Sequence, residues 1–214
     1  MAEPLRLPRV KVCGLRRRDD VQAVVAAGGE AIGLVAHPSS PRHLDAVSAA
    51  GLVAALPDGV LPVLVTVEGS PEEVEREARA FGARAVQLCG RQEPRDWGAF
   101  PLPLLRRIGV AGGAERELER WRDVAAGFVL DHPQAPGGTG RAVDLELAAR
   151  LAASAPCLLA GGLDAHSVGA AIERVRPAGV DASSRLESSP GVKDPARIVA
   201  FVRAALTALE GVHA

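Results

Sequence analysis

Eight short apolar or β-branched runs alternate along this 214-residue chain with segments of helical periodicity. Strands that are apolar along their whole length, each followed by a helix, predict a parallel sheet covered by helices. Eight such units in this length fit an α/β fold, the compact (β/α)8 TIM barrel, better than an open doubly wound sheet. The predicted strands are Val10 to Cys13, Ala31 to Ala36, Leu61 to Val67, Ala85 to Cys89, Leu104 to Val110, Gly127 to Asp131, Pro156 to Ala160 and Gly179 to Ser183.

Segments with helical periodicity fill the intervals between these strands, and in one interval that periodicity is weak. The clearest start is Ser70-Pro71-Glu72-Glu73, where an N-cap serine precedes a proline and two acids in the first turn. The stretch from Glu93 to Phe100 is rich in proline, and we expect it to hold a single turn. No linker interrupts the alternation, so a single barrel domain over residues 1–214 is expected. The other predicted helices are Asp19 to Ala27, Ala46 to Leu56, Glu115 to Val124, Leu145 to Ala153, Ala165 to Val175 and Pro195 to Leu209.

Composition excludes several classes of partner. A net charge of -1, with 24% charged and 48% hydrophobic residues, offers no basic field for nucleic acid. No signal peptide and no apolar run of about 18 residues appear, so we expect a cytoplasmic protein with no membrane association. The cysteines, at 13, 89 and 157, share no metal-ligand spacing, so a small ligand and no metal are expected. Basic residues are almost all arginine, with lysine only at Lys11 and Lys193, which fits a GC-rich or hot genome.

Polar residues follow several predicted strands at the end where TIM barrels carry their chemistry. Cys13 ends strand one, Arg42 follows strand two, and Asp131 ends strand six ahead of a glycine-rich loop over 137–140. His37 and His132 lie in loops without a visible partner and are not assigned as bases. The remaining polar residues at strand ends are Gln87, Cys89, Asp181, Ser183 and Ser184.

The last two strands predict a phosphate site. Gly161 and Gly162 follow strand seven, and Ser183 and Ser184 end strand eight. Glycines and small hydroxyl residues at these two loops supply closely approaching backbone N–H groups, which TIM barrels use for phosphate together with a helix N-terminus. We therefore expect a phosphorylated ligand.

These segments, in order along the chain, resemble the phosphoribosylanthranilate isomerase family of tryptophan biosynthesis. The resemblance spans strand one to the last helix and is most specific in ESSPGVKDP. The matching segments are KVCG at 11–14, SPR at 40–42, QLCG at 87–90, FVLD at 128–131, GGTG at 137–140, LAGGL at 159–163 and DASSRLESSPGVKDP at 181–195.

The resemblance implies an Amadori rearrangement of N-(5-phosphoribosyl)anthranilate to 1-(2-carboxyphenylamino)-1-deoxyribulose 5-phosphate. One group must protonate the furanose ring oxygen, and another must remove the C2 proton of the resulting Schiff base. Cys13 matches the family's general base and Asp131 its general acid. With ordinary pKa values of about 8.5 and 3.9, neither group is suited to its role at neutral pH without help from the site. Positive potential from helix termini, from Arg42 or from the run Arg16 to Arg18 is our hypothesis for the source of the thiolate.

The resemblance also implies binding roles. Arg42 matches the residue that meets the anthranilate carboxylate, a task suited to a planar bidentate fork. Asp181 and Gly140 are assigned to the substrate, Asp181 to its hydroxyl groups, although a structural salt bridge is an open alternative for Asp181. Proton transfers alone complete the reaction, so no cofactor is expected.

Three positions depart from the family's usual pattern. Cys89 stands where histidine is usual, and Arg185 follows Ser183-Ser184 where glycine is usual. If the backbone at Arg185 required a positive φ, the residue would be strained; otherwise it could add charge to the phosphate site. Aromatic residues are scarce after strand two, so less stacking on the anthranilate ring is expected there. Cys157, in the middle of strand seven, is interpreted as a core residue.

Two other functions remain open. One is a phosphosugar isomerase of the histidine pathway or of dual specificity, although those barrels carry aspartate at the end of strand one, where this chain has Cys13. The other is a barrel that binds a phosphorylated metabolite without turnover, which would not require both Cys13 and Asp131. Oligomeric state is left undecided by the sequence, and a homodimer would suit a hot habitat.

Overall fold

The computed structural model describes residues 5–133 and 143–213, and within them eight parallel strands close into a barrel. Each strand pairs with its neighbours in chain order, and β1 closes the ring by pairing with β8 through Lys11 opposite Asp181. The predicted (β/α)8 fold is confirmed. The strands are β1 Val10–Cys13, β2 Ala31–Val35, β3 Leu61–Thr66, β4 Ala85–Leu88, β5 Leu104–Gly109, β6 Gly127–Asp131, β7 Cys157–Leu159 and β8 Gly179–Ala182.

Helices cover the outside of the barrel, and their bounds lie close to the predicted ones. The interval between β4 and β5 holds only a 3-10 turn, Pro94–Asp96, as its proline content predicted. Ser70 forms a full capping box with Glu73 at the start of α3. The helices are α1 Arg18–Ala26, α2 Ala46–Val53, α3 Pro71–Phe81, α4 Ala114–Trp121, α5 Leu145–Ser154, α6 Val168–Val175 and α7 Pro195–His213.

The alternation of side chains along each strand sorts the residues into two layers. Inward residues such as Ala31, Val63, Leu105 and Val129 fill the barrel interior without solvent exposure above 1%. The outward residues between them, such as Ile32, pack against the helices in a second and larger core. The next inward position toward the strand's carboxyl end faces the barrel mouth, which is where catalytic side chains of this fold lie.

The segment after β8 forms a small substructure before the last helix. A 3-10 turn, Ser184–Leu186, leads into an antiparallel hairpin of β9 Glu187–Ser189 and β10 Val192–Lys193. We call this element the β9–β10 hairpin. Among residues 5–133 and 143–213, no helix has the length and apolar character needed to span a membrane.

Candidate active site

The barrel mouth contains a cavity of about 210 Å³ that brings the predicted site residues together. Every predicted site residue that the structure describes lines it. Gly140 and the rest of the loop 137–140 lie outside the described residues. The predicted residues that line the cavity are Cys13, Arg42, Asp131, Gly161, Gly162, Asp181, Ser183 and Ser184.

Cys13 occupies the inward position at the end of β1 and is 9% exposed. Its neighbour across the sheet is Gly33, and a side chain there would come within 2.7 Å of the Cys13 Sγ atom. Burial raises the pKa of the Cys13 thiol above its ordinary value, although the charges of Lys11, Lys193 and Arg42 act to lower it. The cations that oppose burial therefore include Arg42, as we expected, and two lysines that we did not assign. The net direction is upward in the free protein, so these charges offset the effect of burial only in part.

Asp131 lies at the end of β6 and has two hydrogen-bond donors. The Nε of Arg107 donates to its Oδ2 at 3.0 Å, and the backbone N–H of His132 donates to its Oδ1 at 2.8 Å. The Nη2 of Arg107 also donates to the carbonyl oxygen of His132 at 2.6 Å. Arg107 thus holds both the carboxylate and the backbone just after it, so the direction of the carboxylate is fixed by β5 as well as by β6.

A buried ion pair forms the floor beneath Cys13. The Nζ of Lys11 lies 2.8 Å from Oδ2 of Asp181, and the lysine side chain is fully buried. Burial acts most strongly and lowers the pKa of Lys11, but the charge and hydrogen bond of Asp181, together with the charges of Cys13 and Cys89, outweigh it and raise that pKa above the ordinary lysine value. Within the described part of the chain, Oδ1 of Asp181 has no hydrogen-bond partner. Asp181 therefore takes part in a structural salt bridge and still presents one free acceptor beside the cavity.

Arg42 lines the cavity but is already paired. Its Nε and Nη2 donate to the two carboxylate oxygens of Glu187 at 2.6 and 2.8 Å. Glu187 thus occupies the edge of the guanidinium group formed by Nε and Nη2. In the described residues, Nη1 is the nitrogen of the Arg42 guanidinium group that has no such bond.

The two loops predicted to bind phosphate, after β7 and after β8, both line the cavity. Gly161 and Gly162 have φ values of 87° and 71°, which side-chain-bearing residues adopt at a cost. Ser183 follows β8, and its Oγ donates to the carbonyl oxygen of Cys13 at 3.0 Å. Arg185 lies in the 3-10 turn after it, and Arg176 is the one non-glycine residue with positive φ within the described ranges. Arg185 is therefore unstrained, and its side chain lines the cavity.

The other two thiols occupy different environments. Cys89 lies at the cavity wall, where Nε2 of Gln87 contacts its Sγ at 3.4 Å, and burial raises its pKa to about 11. Cys157 packs in the core between sheet and helices at 1% exposure, and burial raises its pKa to about 12. The interpretation of Cys157 as a core residue agrees with this placement.

Four charged residues in or next to the cavity were not assigned from the sequence, namely Lys11, Arg107, Glu187 and Lys193. The sequence did contain a signal for two of them, because Lys11 and Lys193 are the only lysines in a chain whose other basic residues are arginine. Arg107 carried no such signal beside its neighbour Arg106. No cluster of three or more histidine, cysteine or acidic side chains placed to hold a metal occurs in the described ranges.

Comparison with known proteins identifies the family. The family model described as N-(5'phosphoribosyl)anthranilate (PRA) isomerase matches residues 10–204. The N-(5'-phosphoribosyl)anthranilate isomerase of Chromohalobacter salexigens is 41% identical over 206 residues, covering 94% of this chain and 96% of that protein.

Solved structures agree with the sequence match. A phosphoribosyl anthranilate isomerase in complex with reduced 1-(o-carboxyphenylamino)-1-deoxyribulose 5-phosphate is 30% identical, with a TM-score of 0.82 over 94% of this chain and 100% of that chain. A structure of monomers made from the dimeric Thermotoga maritima enzyme is 29% identical, with a TM-score of 0.81 and the same coverage. From the match over nearly the whole barrel, this chain belongs to the phosphoribosylanthranilate isomerase family.

Proposed function

We infer that this protein is an isomerase that converts N-(5'-phosphoribosyl)anthranilate to 1-(2-carboxyphenylamino)-1-deoxyribulose 5-phosphate in tryptophan biosynthesis. The observation that carries the inference is the convergence of the Cys13 thiol and the Asp131 carboxyl group on one cavity that also contains the glycine and serine loops for phosphate. The bound compound in the related complex is a reduced form of the same product. A phosphoribosyl compound is therefore the small-molecule ligand that this cavity takes.

In the first step, Asp131 donates a proton to the furanose ring oxygen. The bond between that oxygen and C1 then breaks, and the anthranilate nitrogen donates its electron pair to give a protonated Schiff base. Arg107 and the His132 N–H hold the carboxyl group, so it meets the ring oxygen in one orientation. A proton donor fixed in this way contributes on the order of 100- to 10,000-fold in rate.

In the second step, Cys13 removes the proton from C2. The electrons of the C2–H bond form the C1–C2 double bond of the enolamine, and those of the C=N bond return to nitrogen. Transfer of a proton from the C2 hydroxyl group to C1 then gives the ketone product. Burial raises the pKa of Cys13 in the free protein, but the protonated Schiff base brings a positive charge beside the thiol. That charge favours loss of the thiol proton to solvent, and the resulting thiolate takes the C2 proton.

Substrate binding uses the two sides of the cavity. The phosphate is held by the loops of Gly161, Gly162, Ser183 and Ser184, and the free Oδ1 of Asp181 accepts a hydrogen bond from a sugar hydroxyl group. Arg42 meets the anthranilate carboxylate through Nη1, since Glu187 occupies its other edge. Gly140 completes the substrate site in this proposal.

The proposed reaction also indicates which cofactors, cellular location and oligomeric state to expect. Proton transfers alone complete it, so neither a metal nor an organic cofactor takes part. One barrel domain over residues 1–214 carries the whole activity, in the cytoplasm and without nucleic acid. The dimeric relative from Thermotoga maritima makes a homodimer the assembly to test, by sedimentation of the purified protein.

Fluorescence tests the function. Purified wild-type protein is added to freshly generated N-(5'-phosphoribosyl)anthranilate, and loss of the substrate's fluorescence is followed. We expect a rate proportional to protein concentration, and a product that reacts further with the next enzyme of the pathway. Acceleration only with the aldose substrate of the histidine-pathway isomerase, or binding without turnover, would contradict the proposal.

A further inference from the structure

The β9–β10 hairpin contains a buried pair, Glu187 and Lys193, to which neither catalytic step assigns a role. The Nζ of Lys193 donates to Oε1 of Glu187 at 2.8 Å and to the carbonyl oxygen and Oγ of Ser183 at 3.0 and 3.2 Å. The lysine and glutamate side chains are 0% and 4% exposed. An ammonium group has three N–H donors, so each of them has a partner here. One end of the pair is thus fixed to the predicted phosphate-binding serine.

The other end of the pair is fixed to the predicted carboxylate-binding arginine. Glu187 accepts from Nε and Nη2 of Arg42 through both of its oxygens, and the backbone N–H of Gly191 lies 3.3 Å from Oε2. Burial acts to raise the pKa of Glu187, but the hydrogen bonds from Arg42 and Lys193 lower it overall. The carboxylate is therefore ionised at neutral pH and bridges two cations.

The hairpin also supports the loop that carries Arg42. Gly191 has a φ of 79°, and a side chain there would come within 2.1 Å of the carbonyl oxygen of Pro41. Nη1 of Arg16 donates to the same carbonyl oxygen at 3.2 Å. The close approach requires a glycine in the hairpin, which explains why the motif places Gly191 between Glu187 and Lys193.

We propose that Glu187 and Lys193 are positioning residues that hold Arg42 and Ser183, which both line the substrate cavity, as one unit. Ser183 extends the unit to β1, because its Oγ donates to the carbonyl oxygen of Cys13. Arg42 and Lys193 are cations and Glu187 is an anion, so the cluster has a net positive charge. It lies beside a site for a ligand with two anionic groups, a phosphate and a carboxylate. This role rests on the proposed function. It also explains why the segment ESSPGVKDP contains both Glu187 and Lys193.

Double-mutant cycles test the proposal with the fluorescence assay. Glu187→Gln keeps the shape but loses the charge, so we expect kcat/KM to fall at least about tenfold, as for a misplaced binding group. In an Arg42→Met background the same change should cost clearly less than it does in the wild type, because part of the effect of Glu187 acts through Arg42. Lys193→Met should behave likewise against Ser183→Ala. Ser189→Ala, at an exposed position of the same hairpin, is the matched control and should keep wild-type kinetics.

Inorganic phosphate supplies a readout that needs no turnover. We expect phosphate to raise the Tm of the wild-type protein and of Ser189→Ala, and to raise that of Lys193→Met and Glu187→Gln much less. The proposal would be overturned if Lys193→Met and Glu187→Gln lowered the Tm but left kcat/KM and the phosphate-induced Tm shift unchanged. It would also be overturned if the effects of the single variants on kcat/KM added fully in the double mutants. An increase in kcat/KM for Glu187→Gln would also overturn it, because Glu187 would then only mask the charge of Arg42. An inactive wild type would contradict the proposed function, and the phosphate shifts would still decide whether the pair positions Ser183.

Discussion

The barrel mouth and the layer between sheet and helices each bury a cysteine of a barrel strand, in contrasting surroundings. Cys157 contacts the hydrophobic core, and burial is the sole cause that raises its pKa. Cys13 is also buried, but three cations oppose the effect of burial and the Asp181 carboxylate adds to it. Burial alone therefore does not distinguish the thiol at the barrel mouth from the thiol in the core. The charges within reach of the sulfur do.

Removing the cation beneath Cys13 should have the largest effect on stability. Lys11→Met leaves Asp181 buried without its partner, which costs about 3–5 kcal/mol in the free energy of unfolding. The double variant Lys11→Met/Asp181→Asn should recover much of that loss, since no lone charge stays buried. Urea unfolding of the variants measures both. If Lys11→Met were as stable as the wild type, the Lys11–Asp181 ion pair would not contribute to the stability of the barrel mouth.

The pH dependence of that ion pair follows from the raised pKa of Lys11. A group whose pKa is higher in the folded than in the unfolded state contributes its full stability below the unfolded value, about 10.4, and loses it as pH rises through the folded value. The stability that the Lys11 charge contributes should therefore stay constant up to about pH 9 and shrink only in stronger alkali. Burial raises the pKa of Asp181, so a change at lower pH reports the titration of that carboxylate. Urea midpoints across this range check the direction.

A second comparison of mouth and core concerns two adjacent arginines of β5, because Arg107 contacts Asp131 at the cavity and Arg106 faces the helices. Arg107→Met removes the donor to Oδ2 of Asp131, and we expect kcat to fall about tenfold or more with a smaller change in KM. Arg106→Met is the matched control, because Arg106 points outward to Glu117 and Trp121 and should affect stability only. A rise in KM with kcat unchanged would show that Arg107 binds substrate and does not position Asp131.

Alkylation compares the two thiols most simply. In a Cys89→Ala background, iodoacetamide should modify Cys13 more slowly than free cysteine at about pH 8, because burial raises the pKa of the Cys13 thiol and so lowers its thiolate fraction. Cys157 should react only after unfolding. Mass spectrometry of the modified peptides reports each rate. Faster reaction of Cys13 than of free cysteine would show that the cations outweigh burial.

Most of the fold followed from local sequence patterns. Continuous apolar runs predicted each strand to within about one residue at its ends, and the proline-rich interval after β4 was predicted to hold a single turn. The start of α6 was placed at Ala165, three residues too early, because the Asp164 side chain bonds the N–H groups of His166 and Ser167 in a turn before Val168. A short polar side chain that competes with the helix in this way has no distinct signal in sequence.

The site was less predictable than the fold. Strand ends identified which residues reach the mouth, but not which of them pair, since Lys11 and Asp181 are 170 residues apart. Pairing across the barrel depends on strand register and on the inward or outward parity of each residue. Arg106 and Arg107 show this, because adjacent positions on β5 face the helices and the cavity. The pairing of Arg42 with Glu187 was likewise not predicted, because Glu187 belongs to the β9–β10 hairpin, which hydrophobic periodicity did not predict.

Whether Cys13 and Asp131 perform the proton transfers is decided by the rate of substrate fluorescence loss with Cys13→Ala and Asp131→Ala, beside Cys157→Ala as the matched control. We expect each of the first two to slow kcat/KM at least about a hundredfold, as for a removed general base or acid, while Cys157→Ala keeps the wild-type rate and loses only stability. A Cys13→Ala variant as active as Cys157→Ala would contradict the assignment and make the two buried thiols equivalent.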